Sequence, residues 1–211
     1  MLGIINYPGF LLSAILLNLT PGADTIYILS KTAVGGRRRG IVSALGISTG
    51  CLVHTVLAAL GLSAILSSSA TAFNLMKLLG AGYLIAMGVR TIRSKESLFQ
   101  MDADEKDEGL WAVYRQGVLT NVLNPKVALF FLALLPQFVE TGNRFGPIPF
   151  LVLGLTFCIT GTFWCVFVAC IGTLFNRILR SSPSAQWGAS KITGGIYVLL
   201  GLNVLRARIE S

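Results

Sequence analysis

The chain has 211 residues, 54% of them hydrophobic and 12% charged, with a mean hydropathy of +0.73. A water-facing domain carries about 25% charged residues, so a soluble globule is excluded and an all-α integral membrane protein is expected, built from apolar helices of about 20 residues. The net charge of +8 does not require a nucleic-acid partner, because basic residues of membrane proteins collect in cytoplasmic loops.

The opening "MLGIINYPGF" has no basic stretch and no small-residue cleavage site, so no cleavable signal peptide is expected. The first predicted span, 4–30, is interrupted by "NLTPGAD" at 18–24. Pro21 lacks a backbone N–H and collides with the carbonyl of Leu17, so a regular helix cannot run through it. The freed carbonyl must face protein or a watery cavity, never lipid. Asn18 and Thr20 can supply local hydrogen bonds, and Thr20-Pro21 reads as the N-cap and first residue of a new half-helix.

The second span, 41–66, carries His54, Cys51 and a G-x-x-x-G pair, Gly46 and Gly50, which signals close helix packing and admits a homodimer. The third, 72–92, opens "KLLGAGY" from Lys77, an expected interface anchor. The connection 93–115 holds six of the nine acidic residues and reads as a hydrophilic cytoplasmic linker. The fourth span, 116–136, contains "NVLNPK": Asn124-Pro125 repeats the cap-and-proline grammar, with Asn121 just before it and Lys126 just after. The fifth, 148–174, holds Cys158, Cys165 and Cys170; no two of the four cysteines form C-x-x-C, which favours packing over redox or metal chemistry. The sixth, 187–205, opens "KITGGIY" from Lys191.

Charge sets the orientation. Lys31, Arg37, Arg38, Arg39, Arg90, Arg93, Lys95, Lys106, Arg115, Arg177, Arg180 and Lys191 fall on one side; Arg144, Arg206 and Arg208 fall on the other. The richer side is cytoplasmic, which puts both termini outside. The K-x-x-G-x-x-Y motif shared by the third and sixth spans, and the prolines shared by the first and fourth, predict an internal repeat. Residues 1–92 and 116–211 are then two three-helix repeats, inverted because three is odd, a plan recurrent in secondary transporters.

Pro21 lies ten residues before Lys31 and Pro125 ten after Arg115. Each break is thus about 15 Å from the cytoplasmic boundary, near the middle of a core of about 30 Å. Interrupted helices hold transporter substrates at that depth. Half-helix N-termini and Lys126 suit a carboxylate, while Asp24 suits an ammonium, so the cavity fits a zwitterion such as an amino acid. The competing expectation is that Asp24 and Lys126 simply pair. The candidate binding residues are Asn18, Thr20, Pro21, Gly22, Asp24, Asn121, Asn124, Pro125 and Lys126, with Asp24 and His54 as candidate proton carriers. No metal site and no cofactor are expected.

The stretches "NLTPGADTIYILSKTAVGGRRRGIVSALGISTG" and "GVLTNVLNPKVALFFLALLPQFV" resemble the two signatures of the LysE/RhtB family of bacterial amino-acid exporters, and "KLLGAGYLIAMGVRTIRS" fits its third span. The resemblance covers nearly the whole chain. It implies proton-driven secondary export of an amino acid or close derivative across the inner membrane, by six spans in two inverted halves. It also implies functional roles for Pro21, Gly22 and Asp24 and for Asn124, Pro125 and Lys126. Ala23 stands where members commonly have a second proline, which softens the first break. Members carry either aspartate or asparagine at the position of Asp24.

Other classes fit less well. Transmembrane thiol transfer needs a cysteine in each of the first and fourth spans, which have none. Metal-ion efflux needs clustered carboxylate, histidine or cysteine ligands, and an intramembrane hydrolase needs a nucleophile with its base or metal. Efflux of a metal ion or another small solute remains the alternative.

Overall fold

The computed structural model of the protein describes residues 2–64, 70–93, 109–140, 142–181 and 183–209. The linker expected at 93–115 and the side chain of Lys77 lie largely or wholly outside the described residues, as do the side chains of Arg177, Arg180, Arg206 and Arg208.

The described residues form helices joined by short turns: α1 (Tyr7–Leu19), α2 (Ala23–Leu57), α3 (Ala70–Arg93), α4 (Leu110–Val122), α5 (Pro125–Leu129), α6 (Ile148–Ser181) and α7 (Pro183–Ile209). Wide π-helical turns continue α2 over Ala58–Leu62 and α5 over Phe130–Leu134, and a 3-10 turn, Leu135–Phe138, follows the second. Asn6, itself left-handed at φ 47°, caps α1 by accepting from the Gly9 amide. The N-terminal strand-like segment is tied down by Ile5 N–H to the Phe138 carbonyl and Glu140 N–H to the Gly3 carbonyl, each 2.9 Å.

α2 is two helical arms. Gly35 and Gly36 leave helical geometry, and Gly36 sits at φ 69°, a conformation that a side chain would strain. The kink falls beside Arg37, Arg38 and Arg39, so the turn lies where the basic run predicts it. The arms fold onto one another, since Ile28 and Leu29 share a buried cluster with Ala44 and Ile47.

Among the described residues, two stretches are long and apolar enough to cross a membrane by length and composition, Ala23–Leu62, which the Gly35–Gly36 kink divides into two arms, and Ile148–Gly172. Leu110–Val122 with Pro125–Phe138, bent by 43°, makes a third when taken as one broken span. Tyr7–Leu19 and Lys191–Leu202 are apolar but shorter. The protein is therefore all-helical and membrane-capable; proline and glycine interruptions divide the longer apolar runs seen in the sequence.

Packing is inside-out relative to a soluble protein. Leu60, Leu79, Leu123, Phe163 and Leu199 are exposed, whereas Asp24, Lys31, His54, Asn121, Asn124 and Lys126 are buried. That inversion matches a bilayer as surrounding solvent. Lys31, expected on the cytoplasmic face, is buried with its ammonium 5.4 Å from the Tyr27 ring centre.

α2 packs along both α4 and α6, and α3 packs along α7. A Cβ on Gly88 would lie 2.6 Å from the Gly194 carbonyl oxygen, and one on Gly194 2.6 Å from that of Gly88. Only glycine allows this approach. The two copies of K-x-x-G-x-x-Y are used differently: Gly80 abuts Ala133 while Gly194 abuts Gly88, and Tyr83 is half exposed while Tyr197 is buried. The Gly46/Gly50 pair expected to admit a dimer is spent inside the chain: their Cα positions face the Tyr114 carbonyl and Gly117, and Val118 and Asn121, of α4.

Candidate functional site

Both prolines interrupt the chain, by different means. At the first, α1 ends at Leu19 and α2 begins at Ala23. Thr20 is extended (φ −71°, ψ 120°), as the residue before proline must be. Its hydroxyl donates back to the Leu16 carbonyl at 2.6 Å. Thr20 therefore closes α1 instead of capping the next helix, contrary to the sequence expectation; the N-cap is Gly22, which offers no side-chain acceptor. At the second break the expectation holds. Asn124 is the N-cap, Pro125 follows at the first helical position, and Asn124 Oδ1 accepts from the Lys126 amide at 3.0 Å.

Lys126 joins the two breaks. Its ammonium donates to the Thr20 carbonyl at 2.9 Å and the Leu17 carbonyl at 3.3 Å. Leu17 is the residue whose carbonyl Pro21 cannot serve. Lys126 sits at the partly positive N-terminus of its own short helix, and it reaches the partly negative C-terminal end of α1, which favours a cation. It passes beside Gly22, where a Cβ would lie at ordinary contact distance, 3.5 Å, from Lys126 Nζ. Two of the three ammonium donors are thereby engaged.

Asp24 occupies the first turn of α2, where a carboxylate is favoured. Its Oδ2 accepts from Asn121 Nδ2 at 3.0 Å. Its Oδ1 is buried with no hydrogen-bond partner, as are Asn121 Oδ1 and Asn124 Nδ2. Asp24 and Lys126 attract one another across the site, while the hydrogen bonds each makes go to amide and carbonyl groups. His54 Nε2 lies 3.1 Å from the Asn121 backbone oxygen, and its ring stacks on Phe131. Both candidate proton carriers therefore meet at Asn121. His54 itself lines a separate apolar crevice with Leu57, Phe131 and Leu132.

Asn18, Asp24, Asn121 and Lys126 line one chamber of about 430 Å³, mouth included. The space is narrow. Thr20, Pro21, Gly22, Asn124 and Pro125 supply the interrupted backbone that aims these side chains. Asn18 does not patch the break locally; its amide donates to Thr160 Oγ1 at 3.0 Å, fastening α1 to α6.

The far wall comes from α6, which sequence reading left without a role. Phe157, Cys158, Gly161, Thr162, Trp164 and Cys165 line the chamber. The small and hydroxylic members recur on one helical face inside a very apolar span, and that periodicity was a usable signal. Trp164 Nε1 is buried and unpartnered. The cysteines depart from the packing expectation: Cys51 and Cys158, 107 residues apart, are joined as a disulfide, and Cys165 and Cys170 are free. Two residues so distant in sequence meet only through the packing of α2 on α6.

Buried charge of both signs between interrupted helices, within a bundle whose exterior is apolar, defines a multi-pass membrane protein with a polar internal chamber. The family model for LysE type translocators matches residues 15–208, and the chain belongs to that family. It is 30% identical to an uncharacterized membrane protein of Vibrio cholerae, over 94% of this chain and 96% of that one. It is 31% identical to the uncharacterized membrane protein YrhP of Bacillus subtilis, over 90% and 93%. A leucine efflux protein of Klebsiella pneumoniae is 24% identical over 93% and 92%. No solved structure matches the chain.

Proposed function

We propose that the protein exports a small neutral amino acid, or a close derivative, from the bacterial cytoplasm across the inner membrane by proton antiport. The observation that carries this reading is the cluster of buried, unpartnered polar atoms in one chamber. Asp24 Oδ1 and Asn121 Oδ1 are acceptors for a substrate ammonium. The third Lys126 donor and Trp164 Nε1 are donors for its carboxylate. A buried polar atom without a partner costs about 1–3 kcal/mol, so a zwitterion that satisfies several at once binds there preferentially. One acid balanced by one base favours a substrate of no net charge. The membership in a translocator family and the similarity to a leucine efflux protein support the direction and the class.

In this reading residues 1–92 and 116–211 form two inverted halves of three spans each, both termini are periplasmic, and residues 93–115 link the halves in the cytoplasm. Asp24 carries the coupled proton, with His54 reached through Asn121. The close Gly88–Gly194 contact between the third and sixth spans supports a pseudo-two-fold arrangement.

The test is dipeptide loading of cells at matched expression, followed by measurement of internal and external free amino acids. Export lowers the internal pool of the substrate and raises it in the medium, and Lys126→Ala abolishes the difference. Equal pools across the common neutral amino acids would overturn the reading.

A further inference from the structure

We propose that Cys51 and Cys158 form a reversible thiol-oxidation site that locks the chamber. Cys51 lies on the second arm of α2 and Cys158 on α6, with Cα atoms 5.8 Å apart, within the range a disulfide spans without backbone movement. Both are buried. Their position matters more than their proximity. Both line the polar chamber, and Cys158 with Ser48 and Thr162 also lines an apolar groove shared by Leu52, Ile159 and Phe163 on the other side of the same seam. The seam is therefore the partition between chamber and groove.

The other contacts across it are non-covalent. Thr162 Oγ1 donates to Ser48 Oγ at 2.8 Å, and the Thr55 hydroxyl lies 3.4 Å from Cys158 Sγ. Non-covalent packing opens and closes thermally; a covalent bond does not. With the thiols reduced, α2 and α6 are held at this level by non-covalent packing alone and can separate. With the bond formed they cannot.

The chemistry balances with a small neutral hydroperoxide as oxidant. One cysteine sulfur attacks a peroxide oxygen, the O–O bond breaks, and a sulfenic acid and one water form. The second thiol attacks that sulfur, the S–S bond forms, and a second water leaves. Two thiols lose two electrons and two protons, and hydrogen peroxide becomes two waters. A dithiol reverses the bond by exchange through a mixed disulfide.

The transport consequence rests on the export reading; the oxidation site does not. Full-length protein in liposomes is treated with hydrogen peroxide or dithiothreitol, alkylated, and digested without reduction. Mass spectrometry of the oxidised sample yields a peptide linking residues 51 and 158. Amide hydrogen exchange over residues 44–58 and 150–166 is slower by about tenfold in the oxidised form. Export falls about tenfold on oxidation and returns with dithiothreitol. In Cys51→Ser and Cys158→Ser the ratio of reduced to oxidised rates falls to about one, whatever each variant's own rate. In Cys165→Ser and Cys170→Ser the ratio is kept.

Absence of the linked peptide overturns the proposal. So does a linked peptide with exchange unchanged, or sensitivity that persists in Cys51→Ser. Redox-dependent exchange without export of any amino acid overturns the export reading and leaves the oxidation site standing.

Discussion

The two proline breaks carry the same kind of residue and meet through Lys126, yet they are built oppositely. The second is compact and self-sufficient: Asn124 caps the Lys126 amide within its own turn. The first spreads over Thr20, Pro21 and Gly22, and no side chain caps the helix that follows. Lys126, from the other break, donates to its Thr20 carbonyl and shares the Leu17 carbonyl with the Thr20 amide. The first break therefore draws part of its hydrogen bonding from the second. A backbone interruption in a membrane can be satisfied locally or at long range, and only the long-range form couples two distant parts of the chain.

The strongest way to break this comparison is Lys126→Ala. It removes the donor to the Thr20 carbonyl and one of two donors to the Leu17 carbonyl, and it leaves Asp24 as an uncompensated buried charge, a change worth about 3–5 kcal/mol. Export assays should fall by about 10² or more, and the melting temperature in detergent should drop. Lys126→Arg should not restore activity, because the planar guanidinium presents its donors differently from a compact ammonium.

Asp24→Asn sharpens the contrast between charge and shape. The amide can still accept from Asn121 Nδ2, so folding should be nearly unchanged while the charge is lost. Export measured with and without an imposed pH gradient should then lose its dependence on the gradient, and His54→Gln should keep it if Asp24 carries the proton.

The cap itself comes next. Asn124→Ala removes a local N-cap and should cost about 1 kcal/mol in denaturant or thermal unfolding. Gly22→Ala at the first break should cost less, since its new Cβ would meet Lys126 only at ordinary contact distance, 3.5–3.7 Å. The smallest effect is expected for Thr20→Val, which loses a single hydroxyl-to-carbonyl bond to Leu16. Its cost of about 0.5–1 kcal/mol in thermal unfolding would distinguish a helix-closing threonine from a helix-starting one.

Much of this was legible in the residues. Composition excluded a water-soluble globule, Pro21 and Pro125 marked both interruptions, Asn124-Pro125 announced its own cap, and the run at Gly35 to Arg39 located the turn. Thr20 was misread because threonine before proline suits either side of a break; the carbonyl of Leu16, one helical turn back, claims its hydroxyl. The Gly46/Gly50 pattern correctly signals close packing, but a glycine stripe does not say which helix it meets.

What the sequence determined by itself are properties of one segment: apolarity, where a helix must stop, and which cap fits. Those follow from covalent geometry and hydrogen-bond valence within a few residues. Only tertiary structure decided that Lys126 serves the carbonyl of Leu17, that Asn121 lies between Asp24 and His54, and that Cys51 meets Cys158. Each of those needs two helices about a hundred residues apart to be docked in one register, and inside a bilayer that register is set by side-chain packing rather than by any local rule.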